Sequence, residues 1–96
     1  MNHYIILSSF SKKGIEKIKD IEERVENFKQ LCESRGVKIL GHYFTFGQYD
    51  VVVILEAPDD ATVMATMISL GIEGNVRTTT LKAFTYEETK KIIDTL

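Results

Sequence analysis

The sequence predicts an α+β domain: four strands in one antiparallel sheet, two helices laid on one face, and a further helix at the C-terminus. Three observations carry that prediction. Val51-Val52-Val53-Ile54-Leu55 is an unbroken aliphatic run entered from the turn Gly47-Gln48-Tyr49-Asp50, the pattern of a strand covered on both faces. Ile18, Ile21, Val25, Phe28, Leu31 and Cys32 recur at the spacing of one helical face. The segments also follow one another as strand–helix–strand and again strand–helix–strand, the order of two crossover units in tandem.

The first strand is expected over His3–Phe10, with Tyr4, Ile6, Ser8 and Phe10 on one face and His3, Ile5, Leu7 and Ser9 on the other. Neither face is wholly polar, as suits a central strand. Ser11–Lys19 reads as a lysine-bearing connection broken by Gly14. Asp20, with Glu23 three residues on, is the expected cap of the first helix, and Gly36 ends it after Arg35. Val37–Phe46 is the second strand, its alternation placing Ile39, Gly41 and Tyr43 opposite Leu40, His42, Phe44 and Phe46. The third strand is Val51–Glu56, stopped by Pro58, the chain's one proline. Asp59 and Asp60 offer caps for a second helix to about Leu70, and Gly71, Gly74 and Asn75 supply the next turn. Val76–Phe84, with Thr78-Thr79-Thr80 at its centre, is a polar β-branched strand suited to a sheet edge. Thr85 and Glu88 form a capping box for the last helix, which carries Ile92, Ile93 and Leu96.

This is the split βαβ, ferredoxin-like pattern. Right-handed crossovers make strands one and three central, giving the sheet order 4-1-3-2. Two helices cover only one face of such a sheet. Strands one and two nevertheless carry apolar residues on both faces, which marks the uncovered face as an interface. The expected assembly is a homodimer paired sheet to sheet. The competing expectation is that the C-terminal helix folds across that face within a monomer.

Composition narrows the function classes. Ninety-six residues make a single domain spanning 1–96, with ordinary hydrophobic (44%) and charged (27%) content. A net charge of −2 gives no general attraction to nucleic acid or to an anionic membrane. The single cysteine, Cys32, excludes an internal disulfide and suits a reducing compartment; it reads as a small core residue. No apolar run is long enough for a membrane span and no signal-peptide order is present, so a cytoplasmic protein is expected. The strand order is shared with RNA-recognition modules, but the strand that would carry their stacking aromatics is Val51–Leu55 here. The Gly71–Gly74 segment lacks the lysine and hydroxyl of a phosphate loop, and two histidines with scattered carboxylates do not make a metal site. No cofactor is called for.

Several stretches together resemble a known family: Gly47-Gln48-Tyr49-Asp50 leading into valines, Arg24 in the first helix, Ala57-Pro58-Asp59, Gly74-Asn75-Val76-Arg77-Thr78 and Ala83-Phe84-Thr85. With these residues the chain resembles the GYD domain family. The resemblance implies the dimeric α/β-barrel superfamily, in which two ferredoxin-like sheets close into a barrel. It brings little biochemistry, because the family's function is largely uncharacterised. Two positions depart from the pattern: Ile21 stands where a proline often starts the helix, and Gly71-Ile72-Glu73-Gly74 is slightly longer than the usual connection.

The topology gathers polar residues at one end of the sheet. Asp50 precedes an apolar strand, and a buried carboxylate needs a partner, which Arg24 or Arg77 can supply. The plainer reading makes Asp50 an anchor of the hairpin; the chemical one makes it a general base. Tyr49 is a packed ring or a phenol donor, and His42 a half-buried side chain or a proton shuttle. Gln48, Arg24 and Arg77 are the candidate ligand-binding residues, and His42, Tyr49 and Asp50 the candidate catalytic ones. The expected function is that of a small-ligand-binding or structural/regulatory domain, whose ligand is a small apolar or aromatic molecule in the barrel cavity. The alternative is a small cofactor-independent enzyme, oxygenase- or isomerase-like, in the same cavity. An apolar patch left exposed after dimerisation points instead to a regulatory subunit.

Overall fold

A computed structural model describes residues 1–96. The strands are β1 (Asn2–Phe10), β2 (Lys38–Phe44), β3 (Val51–Ala57) and β4 (Val76–Ala83). The helices are α1 (Lys12–Glu16), α2 (Ile21–Ser34), α3 (Asp60–Ile72) and α4 (Tyr86–Ile93), with a 3-10 turn at Ile18–Asp20. The sheet order is β2-β3-β1-β4 and every neighbouring pair is antiparallel, the ferredoxin-like arrangement expected.

One face of the sheet meets α2 and α3. Tyr4, Ile6 and Ser8 of β1 and Val51, Val53, Leu55 and Ala57 of β3 are buried there. Phe28 and Cys32 of α2, and Val63 and Met67 of α3, complete this core. Alternate residues Ile5, Leu7, Val52 and Ile54 point to the other face, where no helix lies over them and each is only half-buried by its neighbours. The molecule's shortest dimension is 18 Å, the depth of two layers. The C-terminal helix does not close that face. Its capping box forms as expected, Thr85 N–H donating to Glu88 Oε1 at 2.9 Å and Glu88 N–H to Thr85 Oγ1 at 3.1 Å. Yet no residue of α4 is buried, and it touches the sheet near His3, whose Nδ1 lies 3.8 Å from Glu88 Oε1.

Three local expectations are corrected. The Ser11–Lys19 connection contains α1, and Gly14 lies inside that helix. Ser11 caps it, its hydroxyl accepting from Gly14 N–H at 3.1 Å. Gly14 is needed for close approach: a Cβ there would stand 2.0 Å from the Asn75 carbonyl oxygen. Asp20 makes no side-chain cap to α2, because the 3-10 turn leaves it at φ −88° and ψ 11° rather than in the extended conformation that aims a capping side chain at the helix N–H groups. Finally, a β-bulge leaves Leu40 unpaired between Ile39↔Leu55 and Gly41↔Ile54. The extra residue switches faces, so Ile39 shares the helix-covered face with His42, while Gly41 and Tyr43 turn to the open one.

Candidate functional site

Asp50 sits where the β1–β3 ladder ends. Its backbone N–H donates to the Ser8 carbonyl at 2.8 Å, and its carboxylate accepts the Phe10 N–H at 2.9 Å. The side chain thus replaces a strand carbonyl just past the last paired residues, Ser8 and Val51. The turn closes from the other side as well: the Thr45 N–H donates to the Asp50 carbonyl at 2.9 Å, and the Thr45 hydroxyl to the Tyr49 carbonyl at 2.6 Å. Gly47 takes φ +113°, a value that side chains avoid. Gln48 at the tip is exposed.

Neither arginine pairs with Asp50. Arg24 Nη1 donates to the Gly14 carbonyl at 2.9 Å and the Lys17 carbonyl at 3.1 Å, and the guanidinium lies 5.5 Å from the centre of the Phe10 ring. It clamps α1 and the 3-10 turn onto α2. Arg77 is exposed on the open face of β4, opposite Ser9. The six candidates are therefore dispersed over the hairpin, the helix layer and the open sheet face.

His42 lies on the covered face of β2. Its ring stacks on Phe44 at 5.6 Å and meets the Phe28 ring edge at 6.1 Å. Burial, and then the charge of Lys29, hold its pKa below the ordinary histidine range, so the imidazole is neutral near pH 7. It belongs to the lining of a cleft of about 70 Å³ between the sheet and the helices. Ten of the 16 lining residues are hydrophobic, and the polar ones include Ser8, Arg24, Glu73, Asn75 and Thr78. Tyr49 and Asp50 are not among them. The cleft lies under α2 and α3, not on the open face where a barrel interior was expected. Of the six, then, Arg24 and His42 share one cavity; Asn75, expected among the polar residues at that end of the sheet, lines it too, while Ser8 and Glu73 were not expected there. Ser8 had left a signal: a hydroxyl following Tyr4 and Ile6 on the core face of β1.

A second open space, of about 430 Å³, lies between α3 and the edge strand β4, with Met64, Met67 and Ile68 on one side and Thr78, Thr80 and Lys82 on the other. Tyr4 and Asp60 close one end, the phenol donating to the carboxylate, which also pairs with Lys82 at 3.1 Å. Burial and then the Asp60 contact raise the Tyr4 pKa. The flank of α3 that borders this groove is apolar and open, and it continues to Ile72: Met64, Ile68 and Ile72 are 67%, 58% and 80% exposed.

The family model of the GYD domain matches residues 4–93. The chain belongs to the GYD domain family. This GYD domain is also similar to a Thermus thermophilus protein named glutamine synthetase and cystathionine beta-lyase binding protein. The two are 37% identical over 84 residues, a stretch covering 86% of this chain and 88% of the relative. No helix of the GYD domain is long and apolar enough to cross a membrane.

Proposed function

We propose that this GYD domain is a regulatory binding protein that docks on metabolic enzymes, with glutamine synthetase and cystathionine beta-lyase as the first partners to test. The observation that carries the reading is the exposed stripe Met64, Ile68 and Ile72 on the flank of α3 that borders the groove beside β4. The inner side of the same helix, with Val63, Thr66 and Met67, is already buried against the sheet. A helix apolar on both sides belongs between two partners. Methionine at its exposed centre adapts to irregular surfaces. The resemblance to a relative named for enzyme binding supports the same reading.

The open sheet face serves a different contact in this proposal. Ile5, Leu7, Val52, Ile54, Tyr43 and Leu81 form an apolar surface suited to a second copy, giving a sheet-to-sheet homodimer. The α3 stripe lies in the opposite layer and stays free in such a dimer. The enzymatic alternative has weaker support, because His42 lies in the cleft while Tyr49 and Asp50 are committed to the hairpin.

Biolayer interferometry with purified glutamine synthetase and cystathionine beta-lyase from the same organism tests the proposal. Saturable binding to either enzyme, abolished by the pair Met64→Glu and Ile68→Glu, is expected. No binding to either, or binding indifferent to that pair, refutes it. Light scattering on Leu7→Glu tests the dimer separately: the parent should have twice the chain mass and the variant the mass of one chain.

A further inference from the structure

We propose that the groove between α3 and the outer strand β4 takes an extended segment of the partner protein as a fifth strand of the sheet, the segment's alternate side chains packing against Met64 and Ile68. The inference rests on the docking reading of the α3 stripe and adds the form in which the partner is held.

The sheet has two outer strands, β2 and β4. Each pairs on one side only, so alternate N–H and C=O groups along its other edge face outward and can pair with another extended chain. The two edges differ. β2 is bulged at Leu40, and a bulge twists an edge away from further pairing. β4 runs eight residues with neither proline nor bulge, its register with β1 unbroken from His3↔Ala83 to Phe10↔Val76. A lysine is a common guard on such an edge. Lys82, the lysine of β4, is tied instead to Asp60 at 3.1 Å.

Thr78, Thr80 and Lys82 lie opposite Ser8, Ile6 and Tyr4, so they share the helix-covered face and form one wall of the groove. Met64 and Ile68 form the other. Unpaired backbone beside one wall and bare apolar side chains on the other select an extended chain over a helix. A helix satisfies its own N–H and C=O groups internally, whereas a strand pairs its backbone with β4 and turns every second side chain toward α3. Charge then orients the segment. At the start of α3, Asp60 is paired with Lys82, and Asp59 is in no ion pair, so this end of the groove favours a basic residue. The whole sheet is antiparallel, and a strand that continues the pattern has its N-terminus beside Lys82. The segment therefore starts with lysine or arginine and carries apolar side chains at every second position after it.

NMR titration of the full chain with the blocked peptide Lys-Thr-Val-Thr-Val-Thr-Val tests the proposal. Saturable binding should slow amide exchange at alternate residues of Val76–Ala83 by at least about tenfold and bring peptide amides into cross-strand contact with β4. A peptide with prolines at its fourth and fifth positions lacks two successive N–H groups, one of which has to face β4, and should not bind. The block sequence Lys-Thr-Thr-Thr-Val-Val-Val keeps the composition without the alternation and should bind at least about tenfold more weakly, as should the parent peptide to Ile68→Glu. The proposal is overturned if the alternating peptide does not bind at millimolar concentration, if the proline peptide binds as well, or if binding leaves exchange along β4 unchanged. Slow exchange along β4 in the free chain that fades on dilution also overturns it, because a second copy then holds the edge. The two readings fail separately. An enzyme bound through Met64 and Ile68 with β4 exchange unchanged rejects the added strand and keeps the docking. The peptide bound as described with neither enzyme recognised keeps the added strand and rejects those two partners.

Discussion

Gly14→Ala separates two opposing effects. On helix propensity alone the substitution is favourable by about 1 kcal/mol, because alanine is the better helix former. The local packing argues the other way. The new Cβ would lie 2.0 Å from the Asn75 oxygen and 2.9 Å from its carbonyl carbon, both backbone atoms. Carbon and oxygen settle at roughly 3.3 Å or more, so the Gly74–Asn75 segment has to retreat by over about 1 Å. Three hydrogen bonds span that gap: Ser11 N–H to the Asn75 carbonyl at 3.0 Å, the Ser11 hydroxyl to the Gly74 carbonyl at 2.5 Å, and Lys13 Nζ to the Glu73 carbonyl at 2.7 Å. At about 0.5–1.5 kcal/mol net for each, their loss outweighs the gain in propensity and leaves a destabilisation of about 0.5–3.5 kcal/mol. Urea unfolding followed by circular dichroism should show a lower midpoint with an unchanged slope. Tm should drop by about 4–8 °C for each kcal/mol in a domain of this size. A neutral or more stable Gly14→Ala protein would refute the close approach and leave propensity as the dominant effect.

Other substitutions probe the remaining contacts. Asp50→Ala should destabilise by about 1.5–3 kcal/mol in urea unfolding, the range for a hydrogen bond to a charged group; Asp50→Asn, which keeps an acceptor oxygen for the Phe10 N–H, should cost less. An Asp50→Ala protein as stable as the parent would contradict the anchoring role. Thr85→Ala removes the cap of a helix with no buried residue, so about 1 kcal/mol of local stability should disappear. Amide exchange should quicken in Tyr86–Ile93 while Tm stays nearly constant, and a large fall in Tm would mean that α4 is packed more firmly than described. Burial pushes the Cys32 thiol from its ordinary 9.0 up to about 11. Folding therefore favours the protonated thiol. Its contribution is complete below pH 9 and is lost as the pH rises through 11, a change of about 2–3 kcal/mol for two pKa units. The difference in stability between the parent and Cys32→Ala should narrow by that amount between pH 9 and 11, and a constant difference would exclude the linkage.

The sheet was legible because its information is periodic. Val51–Leu55 announces a central strand, Thr78-Thr79-Thr80 an edge, and the order of segments leaves one ferredoxin-like arrangement. The bulge at Leu40 was not legible, since an unpaired residue changes no composition and is defined only against its neighbour, β3. The helix at Lys12–Glu16 has no apolar period and contains a glycine that ordinarily argues against it. The site was harder still. Arg24 stood out as a charge awaiting a carboxylate, yet its acceptors are the Gly14 and Lys17 carbonyls, and a backbone carbonyl has no letter in the sequence. Ser8 was visible as a polar interruption of an apolar face, but its cavity forms only when α2 and α3 lie across the sheet.

The outward stripe of α3 has a consequence for the life of the chain in the cell. A net charge of −2 provides little mutual repulsion between copies, and Met64, Ile68 and Ile72 give each copy an adhesive flank. Chains made in excess of whatever covers that flank would collect on one another. Under the docking proposed above, soluble yield should then follow the supply of the partner by mass action.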